Sequence, residues 1–186
     1  MVYYNSASDK VNDSSRIAFE PLGPTHAPEL FPLFEDDRIY RYIPLPRYRT
    51  IEEIRERVTK LSEHGPGNGR SVWLNWILKE KAKGKYIGWV QATLYENKSA
   101  SIAYVIFPEF WKQGYAKEAC STIIAHLYSN SDIETIFAEI DTRNNASIAL
   151  IRSLGFTLAG ERKNADFFNG SKSDEYRFEL AKREKR

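Results

Sequence analysis

The chain has 186 residues, 42% of them hydrophobic and 28% charged, with a net charge of +2. This is enough chain for one self-supporting core, and the near balance of charge excludes the polyanion field that nucleic-acid binding draws on. A single cysteine, Cys120, excludes an internal disulfide and points to a reducing, cytoplasmic setting, and no run approaches the ~18 apolar residues of a membrane span.

Residues 1–14 are polar and lack the apolar stretch of a signal peptide, so they read as a loose tail ahead of one domain over 15–181, with 182–186 as a solvated basic tail. Arg16–Glu20 forms a short strand stopped by Pro21 and Pro24, and Thr25–Phe34 suits a helix. After a charged, proline-punctuated connection, Thr50 and Glu53 have capping-box spacing, and Ile51, Ile54, Val58 and Leu61 supply the apolar stripe of the helix they open. That helix ends in the glycine-rich loop 65–69.

The period then changes. Val72–Leu78, Lys85–Leu94 and Ser99–Phe107 are strand-like runs joined by short polar turns, which predicts an antiparallel meander. Ala116, Ala119, Cys120, Ile123, Ile124 and Leu127 have helical spacing over 115–129, and Thr135–Ile140 is the next strand. Strand, helix and strand make a right-handed βαβ unit, so the strands at 101–107 and 135–140 lie parallel. Asn145–Leu154 is a helix closed by Gly155, and a hairpin turning at Asn169-Gly170 ends the domain.

Gly114 and Ala116 sit where strand passes to helix. Such a junction leaves unpaired backbone N–H groups and the positive end of a helix dipole facing the loop, which suits a phosphate; Gly114 equally relieves a tight turn. Cys120 falls on the apolar stripe and reads as core, while His26, His64 and His126 have no metal-ligand spacing.

Three segments in order, Phe110-Trp111-Lys112-Gln113-Gly114-Tyr115-Ala116-Lys117-Glu118-Ala119, the run from Asn144 through Ser147 to Phe156, and Ala165-Asp166-Phe167-Phe168-Asn169-Gly170, resemble the Gcn5-related N-acetyltransferases. Within that superfamily they are similar to the RimJ/RimL branch, which acetylates ribosomal-protein N-termini. The resemblance covers residues 15–181 and implies an α/β (α+β) fold. Its central mixed, mostly antiparallel twisted sheet would have about seven strands, flanking helices and a splayed parallel pair. The loop pattern matches at Gly114 and Ala116, and Trp111 at its opening position is usual in the branch.

The resemblance further implies acetyl-CoA as acetyl donor. Backbone groups of Lys112, Gln113, Gly114, Tyr115 and Ala116 would hold its pyrophosphate, beside Trp111. Lys112 and Lys117 would add charge, or are solvated lysines. The edges of Val105 and Ile106 would meet the pantetheine arm. Asn144 becomes a pantetheine or water anchor and Ser147 the donor to the departing thiolate, although both residues also serve as ordinary helix-capping groups. Two carboxylates compete as base: Asp166, matching the branch's acidic residue paired with the serine, and Glu139, matching the RimI-type glutamate. The tyrosine acid of the RimI-type enzymes falls here on Ile151.

An amine attacking a thioester needs a route for its extra proton and a stabilised leaving sulfur; at an α-amine of pKa near 8 a carboxylate acting through water suffices. The expected acceptor is a protein N-terminal amine. The alternatives are a small amine (aminoglycoside, polyamine or amino-acid-like), which Glu35, Asp36 and Asp37 would attract if cationic, and a non-catalytic coenzyme A-binding module. No metal, nucleic-acid or membrane partner is expected, and the state is monomer or homodimer.

Overall fold

The computed structural model describes residues 10–63 and 70–182. The expected loop at 65–69, most of the expected N-terminal tail and residues 183–186 lie outside them. Seven strands form one sheet: β1 (Ile17–Pro21), β2 (Ser71–Glu80), β3 (Tyr86–Tyr95), β4 (Ser99–Ile106), β5 (Thr135–Asp141), β6 (Thr157–Phe168) and β7 (Ser171–Ala181), in the order β1-β2-β3-β4-β5-β7-β6. The helices are α1 (Ala27–Phe34), α2 (Ile51–Ser62), α3 (Tyr115–Asn130) and α4 (Asn145–Ser153). The mixed, mostly antiparallel sheet and its parallel β4–β5 pair match the sequence expectation.

Strand β2 shows why the sheet has helices on both faces. Leu74 through Leu78 are all buried, which a half-exposed strand cannot achieve. Asn75 Nδ2 donates to the Leu61 carbonyl of α2, while the neighbouring Trp76 ring meets His126 of α3. Successive side chains point to opposite faces, so α2 and α3 cover opposite sides. On α3 the buried stripe is Ala119, Cys120, Ile123 and Leu127, with Ala116 and Ile124 half-buried beside it. Burying the Ile123 and Leu127 side chains contributes about 1.5–3 kcal/mol each.

Two local expectations need correction. The loose tail does not extend to residue 14, because Val11 is buried and the Ser14 hydroxyl donates to Glu118 at 2.7 Å. The capping box at α2 is half made: the Thr50 hydroxyl accepts from the Glu53 N–H, but the Glu53 carboxylate reaches the Arg49 N–H, not that of Thr50.

The feature that positions the site is an interruption. Strands β4 and β5 pair only from Ser99↔Thr135 to Ser101↔Phe137, while β4 runs on to Ile106 and β5 to Asp141. On its other side β4 stays paired with β3 as far as Ile106↔Gly88. Gly88 sits beside an irregularity in the β2–β3 register, and a Cβ there would lie 2.1 Å from the Val105 carbonyl oxygen and 3.0 Å from Ile106 Cα. Those contacts are backbone and cannot swing aside. Gly88→Ala is therefore expected to destabilise the protein by about 1–3 kcal/mol, read as a drop of several degrees in the thermal midpoint.

Candidate active site

The loop between β4 and α3 is built from its own backbone. After Phe107 a short 3-10 turn, Pro108–Phe110, reverses the chain, and the Trp111 indole N–H donates to the Ile106 carbonyl at 2.5 Å. Lys112 and Gly114 both take positive φ, +60° and +83°. At Gly114 that left-handed value makes it the entry to α3, and a side chain there would be strained. The Gly114 carbonyl takes the first helical bond, from Glu118 N–H. The N–H groups of Tyr115, Ala116 and Lys117 find no acceptor among the described residues, so the helix opens on unpaired donors.

The loop is fastened from outside by the N-terminal segment. Glu118, in the first turn of α3, accepts from the Ser14 and Ser15 hydroxyls, the Arg16 backbone N–H and Arg16 Nε, at 2.7–3.1 Å. The same guanidinium donates to the Gln113 carbonyl at 3.0 Å and lies over the Tyr115 ring. Burial pushes the Glu118 carboxyl up, but the bonds from Ser14, Arg16 and Ser15 outweigh it and hold it below the ordinary value.

Where β4 and β5 part, a cavity of about 630 Å³ opens. Of the residues singled out from the sequence, Val105 and Ile106 of β4, Trp111, Lys112, Gly114, Tyr115, Ala116 and Lys117 of the loop, and Asn144 and Ser147 at the start of α4 line it. Gln113 does not: its amide donates to the Glu109 carbonyl outside the cavity. The Ile106 edge is also partly spent, since its carbonyl accepts from Trp111. Asn144 caps α4, its Oδ1 accepting from the Ser147 N–H at 3.1 Å. That is the helix-capping reading of this residue; the Ser147 hydroxyl, near Tyr104, completes no hydrogen bond among the described residues, and Ser147 lines the cavity. Ile151 is fully buried.

Neither predicted carboxylate lines the cavity. Glu139 is exposed on β5, 3.8 Å from the Arg177 guanidinium. Asp166 is half-buried in the β6–β7 hairpin opposite Ser173, and its Oδ1 accepts from the Phe167 N–H. The buried acid nearby is Asp141, which accepts from Arg143 and from the Ser173 hydroxyl and is fully occupied. Burial raises its carboxyl, and the Arg143 and Ser173 bonds more than reverse that.

Sequence reading missed much of the rest of the wall, Arg38, Arg41, Tyr42, Tyr104 and Arg143 among it. The first three come from the α1–α2 connection, which the hairpin tip grips through Asn169 Nδ2 and the Tyr40 carbonyl at 2.8 Å. The lining thus holds five cationic side chains, Arg38, Arg41, Lys112, Lys117 and Arg143, and no carboxylate. None of the acidic run lines the cavity: Asp36 pairs with the lining residue Arg38, Asp37 pairs with Arg47, and Glu35 is exposed. A long cleft with an apolar middle, cations along its wall and free amides at one end fits a flexible anionic thioester.

Glu118 supplies a test of the fastening. Its folded pKa is depressed, so its stabilisation is complete above the unfolded value near 4.3 and is lost as pH falls through the folded one. Glu118→Gln is expected to lower stability at pH 7 by about 1–3 kcal/mol. In denaturant titrations the gap from the unchanged protein should close below pH 4.

Residues 16–157 match the acetyltransferase (GNAT) domain family. A Bacillus subtilis protein described as an uncharacterized N-acetyltransferase, YoaA, is 23% identical over 91% of this chain and 96% of its own length. Among solved structures, the fold superposes on RimL, a ribosomal L7/L12 α-N-protein acetyltransferase in complex with coenzyme A, with a TM-score of 0.81 over 92% of this chain and 97% of that one, at 22% identity. It also superposes on the microcin C7 self-immunity acetyltransferase MccE in complex with acetyl-CoA and AMP, with a TM-score of 0.80 over 90% and 93% at 21% identity. The loop amides, the parted strands and the matched domain meet in one conclusion: the chain belongs to the GNAT family of acetyl-CoA-dependent N-acetyltransferases.

Proposed function

We propose that acetyl-CoA lies along the cavity with its pyrophosphate at the amides of residues 112–117 and its thioester beside Ser147, and that the acceptor is a protein N-terminal α-amine. The observation that carries the site is the uncommitted Ser147 hydroxyl in the cleft opened by β4 and β5. Lys112 and Lys117 neutralise phosphate charge, and the unpaired edge of β4 beyond Ser101 orients the pantetheine arm by backbone hydrogen bonds. Holding the amine near the carbonyl supplies much of the rate, and an edge N–H stabilises the developing oxyanion. The Ser147 hydroxyl donates to sulfur as the C–S bond breaks.

The amine's proton leaves through water. We assign Asp166 as the group that receives it in preference to Glu139, because Asp166 lies on the hairpin whose tip holds the α1–α2 connection at Tyr40, beside the lining residues Ile39 and Arg41, whereas Glu139 is drawn to Arg177. The charge of the wall supports an uncharged or acidic acceptor. Polyamines and aminoglycosides bring several positive charges, and a lining whose charged side chains are all cationic disfavours them, although Arg38 and Arg143 are offset by Asp36 and Asp141 behind the wall. A small amine carrying its own carboxylate or phosphate is the second reading, favoured by Arg41 and Arg143 on that wall. The buried thiol of Cys120 suits a cytoplasmic, reducing setting.

Ser147→Ala is expected to lower kcat by about 10- to 100-fold while the acetyl-CoA dissociation constant from calorimetry moves less than threefold. Equal losses in both would sink the thiolate-donor role, and acetyl-CoA binding with no thiol release from any amine would favour the binding module. In the same thiol-release assay, a peptide with an acidic second residue should outperform spermidine at least tenfold, and Asp166→Asn should cost more than Glu139→Gln. Spermidine as the better acceptor would overturn the electrostatic argument.

A further inference from the structure

Of the five cations on the cavity wall, four are accounted for. Arg38 pairs with Asp36 through Nε and Nη2, and its guanidinium lies 5.7 Å from the Trp111 ring. Arg143 holds Asp141 in the same two-pronged way. Lys112 and Lys117 stand on the loop whose amides face the pyrophosphate in the reading above. Arg41 remains. It makes no hydrogen bond or ion pair among the described residues, and its guanidinium carbon lies 5.1 Å from the centre of the Tyr42 ring.

The backbone that carries Arg41 is fixed. It closes the 3-10 turn Asp37–Arg41, in which Ile39 and Tyr40 are buried. The Tyr40 hydroxyl donates to the Phe34 carbonyl at 2.8 Å, and the Tyr40 carbonyl accepts from Asn169 at the hairpin tip. A 3-10 turn brings residues three apart to one face, about 6 Å apart along its axis. Arg38 and Arg41 therefore both reach the cavity, Arg38 at the Trp111 end and Arg41 one turn further, next to Tyr42. Asp141 chiefly, with Tyr42 and Asp174 adding to it, raises the Arg143 pKa, so the Tyr42 hydroxyl is within electrostatic reach of that guanidinium. Nη1 of Arg143 makes only a 3.4 Å bond to the Ser171 hydroxyl, which leaves it donor capacity. Arg41, Tyr42 and Arg143 thus put one uncompensated positive charge and two further donors on the same stretch of wall.

Resting on the reading of the cavity given above, we propose that Arg41 is a specificity-determining residue that receives a carboxylate carried by the acceptor amine, with the Tyr42 hydroxyl and Arg143 as flanking donors. The carboxylate belongs either to an acidic side chain next to an N-terminal amine or to the α-carboxyl of a small amino acid. A guanidinium gives a carboxylate two parallel charge-assisted hydrogen bonds, which a lysine or a neutral amide does not reproduce. Arg143 does not select by charge, because Asp141 offsets it. Arg41 takes no part in the chemistry and acts on which acceptor is held.

The test compares matched acceptors in thiol-release assays at saturating acetyl-CoA: the tetrapeptide Ser-Glu-Ala-Ala against Ser-Gln-Ala-Ala, and alanine against alaninamide. In at least one pair kcat/KM should favour the carboxylate member by about tenfold or more. Arg41→Gln should bring that preference within about twofold, Arg41→Lys should restore it in part, and Arg41→Glu should reverse it. The acetyl-CoA dissociation constant of each variant should stay within about threefold and its thermal midpoint within about 2 °C, because the Arg41 side chain ties no other element in place. A preference in the peptide pair assigns the carboxylate to a side chain, and one in the alanine pair assigns it to the α-carboxyl; either supports the subsite. Where acetyl-CoA binds, turnover of none of the four acceptors, equal turnover within both pairs, or a preference that Arg41→Gln leaves unmoved would overturn this proposal and leave the cofactor reading standing. An unchanged protein that does not bind acetyl-CoA would overturn both.

Discussion

The parting of β4 from β5 is the constraint on which the rest depends. Three residue pairs, ending at Ser101↔Phe137, hold the two strands together, and beyond them each strand keeps only its outer neighbour. A parallel pair that stayed closed would satisfy its own backbone and offer nothing to a ligand. By opening, the sheet exposes unpaired edge groups at its centre, and the loop from β4 and the turn before α4 converge on the same gap. The close approach of Gly88 to the Val105 carbonyl shows how firmly β4 is held from the other side, so the opening belongs to a rigid strand.

A second device keeps the loop itself in place. Free helix-terminal amides are effective anion donors only when they are fixed, since ordering them at the moment of binding would cost affinity. Here the loop is tied to β1 and the residues before it. Glu118 gathers donors from Ser14, Ser15 and Arg16, and the same arginine holds the Gln113 carbonyl. The acid at the first turn of α3 also complements the helix dipole. The segment expected to be a loose tail is thus a strap across the β4–α3 loop in its last residues.

Charge is distributed with equal economy. The net charge of +2 says nothing about partners, yet five cationic side chains line one cavity, two of them, Arg38 and Arg143, paired with Asp36 and Asp141, which do not line it. Asp141 illustrates this: it is buried, saturated by Arg143 and Ser173, and serves to aim Arg143 at the cavity, leaving it no part in proton transfer.

The sequence by itself determined the order and kind of the elements, because helical and strand periodicities, the Gly155 cap and the Asn169-Gly170 turn are local signals. It also determined the loop before α3 and the Asn144–Ser147 turn, whose backbone geometry a few residues dictate. Gln113 and Asp166 do not line the cavity, since a side chain's direction within a bulged hairpin or a loop of mixed φ is set by packing, and neither does Glu139, which lies exposed beside Arg177 of β7. Arg38, Arg41 and Arg143 were illegible for a related reason: they reach the site from segments far apart in the chain, joined there by the Asn169–Tyr40 bond. Tyr104 reads in sequence as one more strand aromatic. Only the tertiary structure decided that its strand loses a neighbour three residues earlier and that Tyr104 joins the cavity lining there, because strand pairing is fixed between segments far apart in the chain.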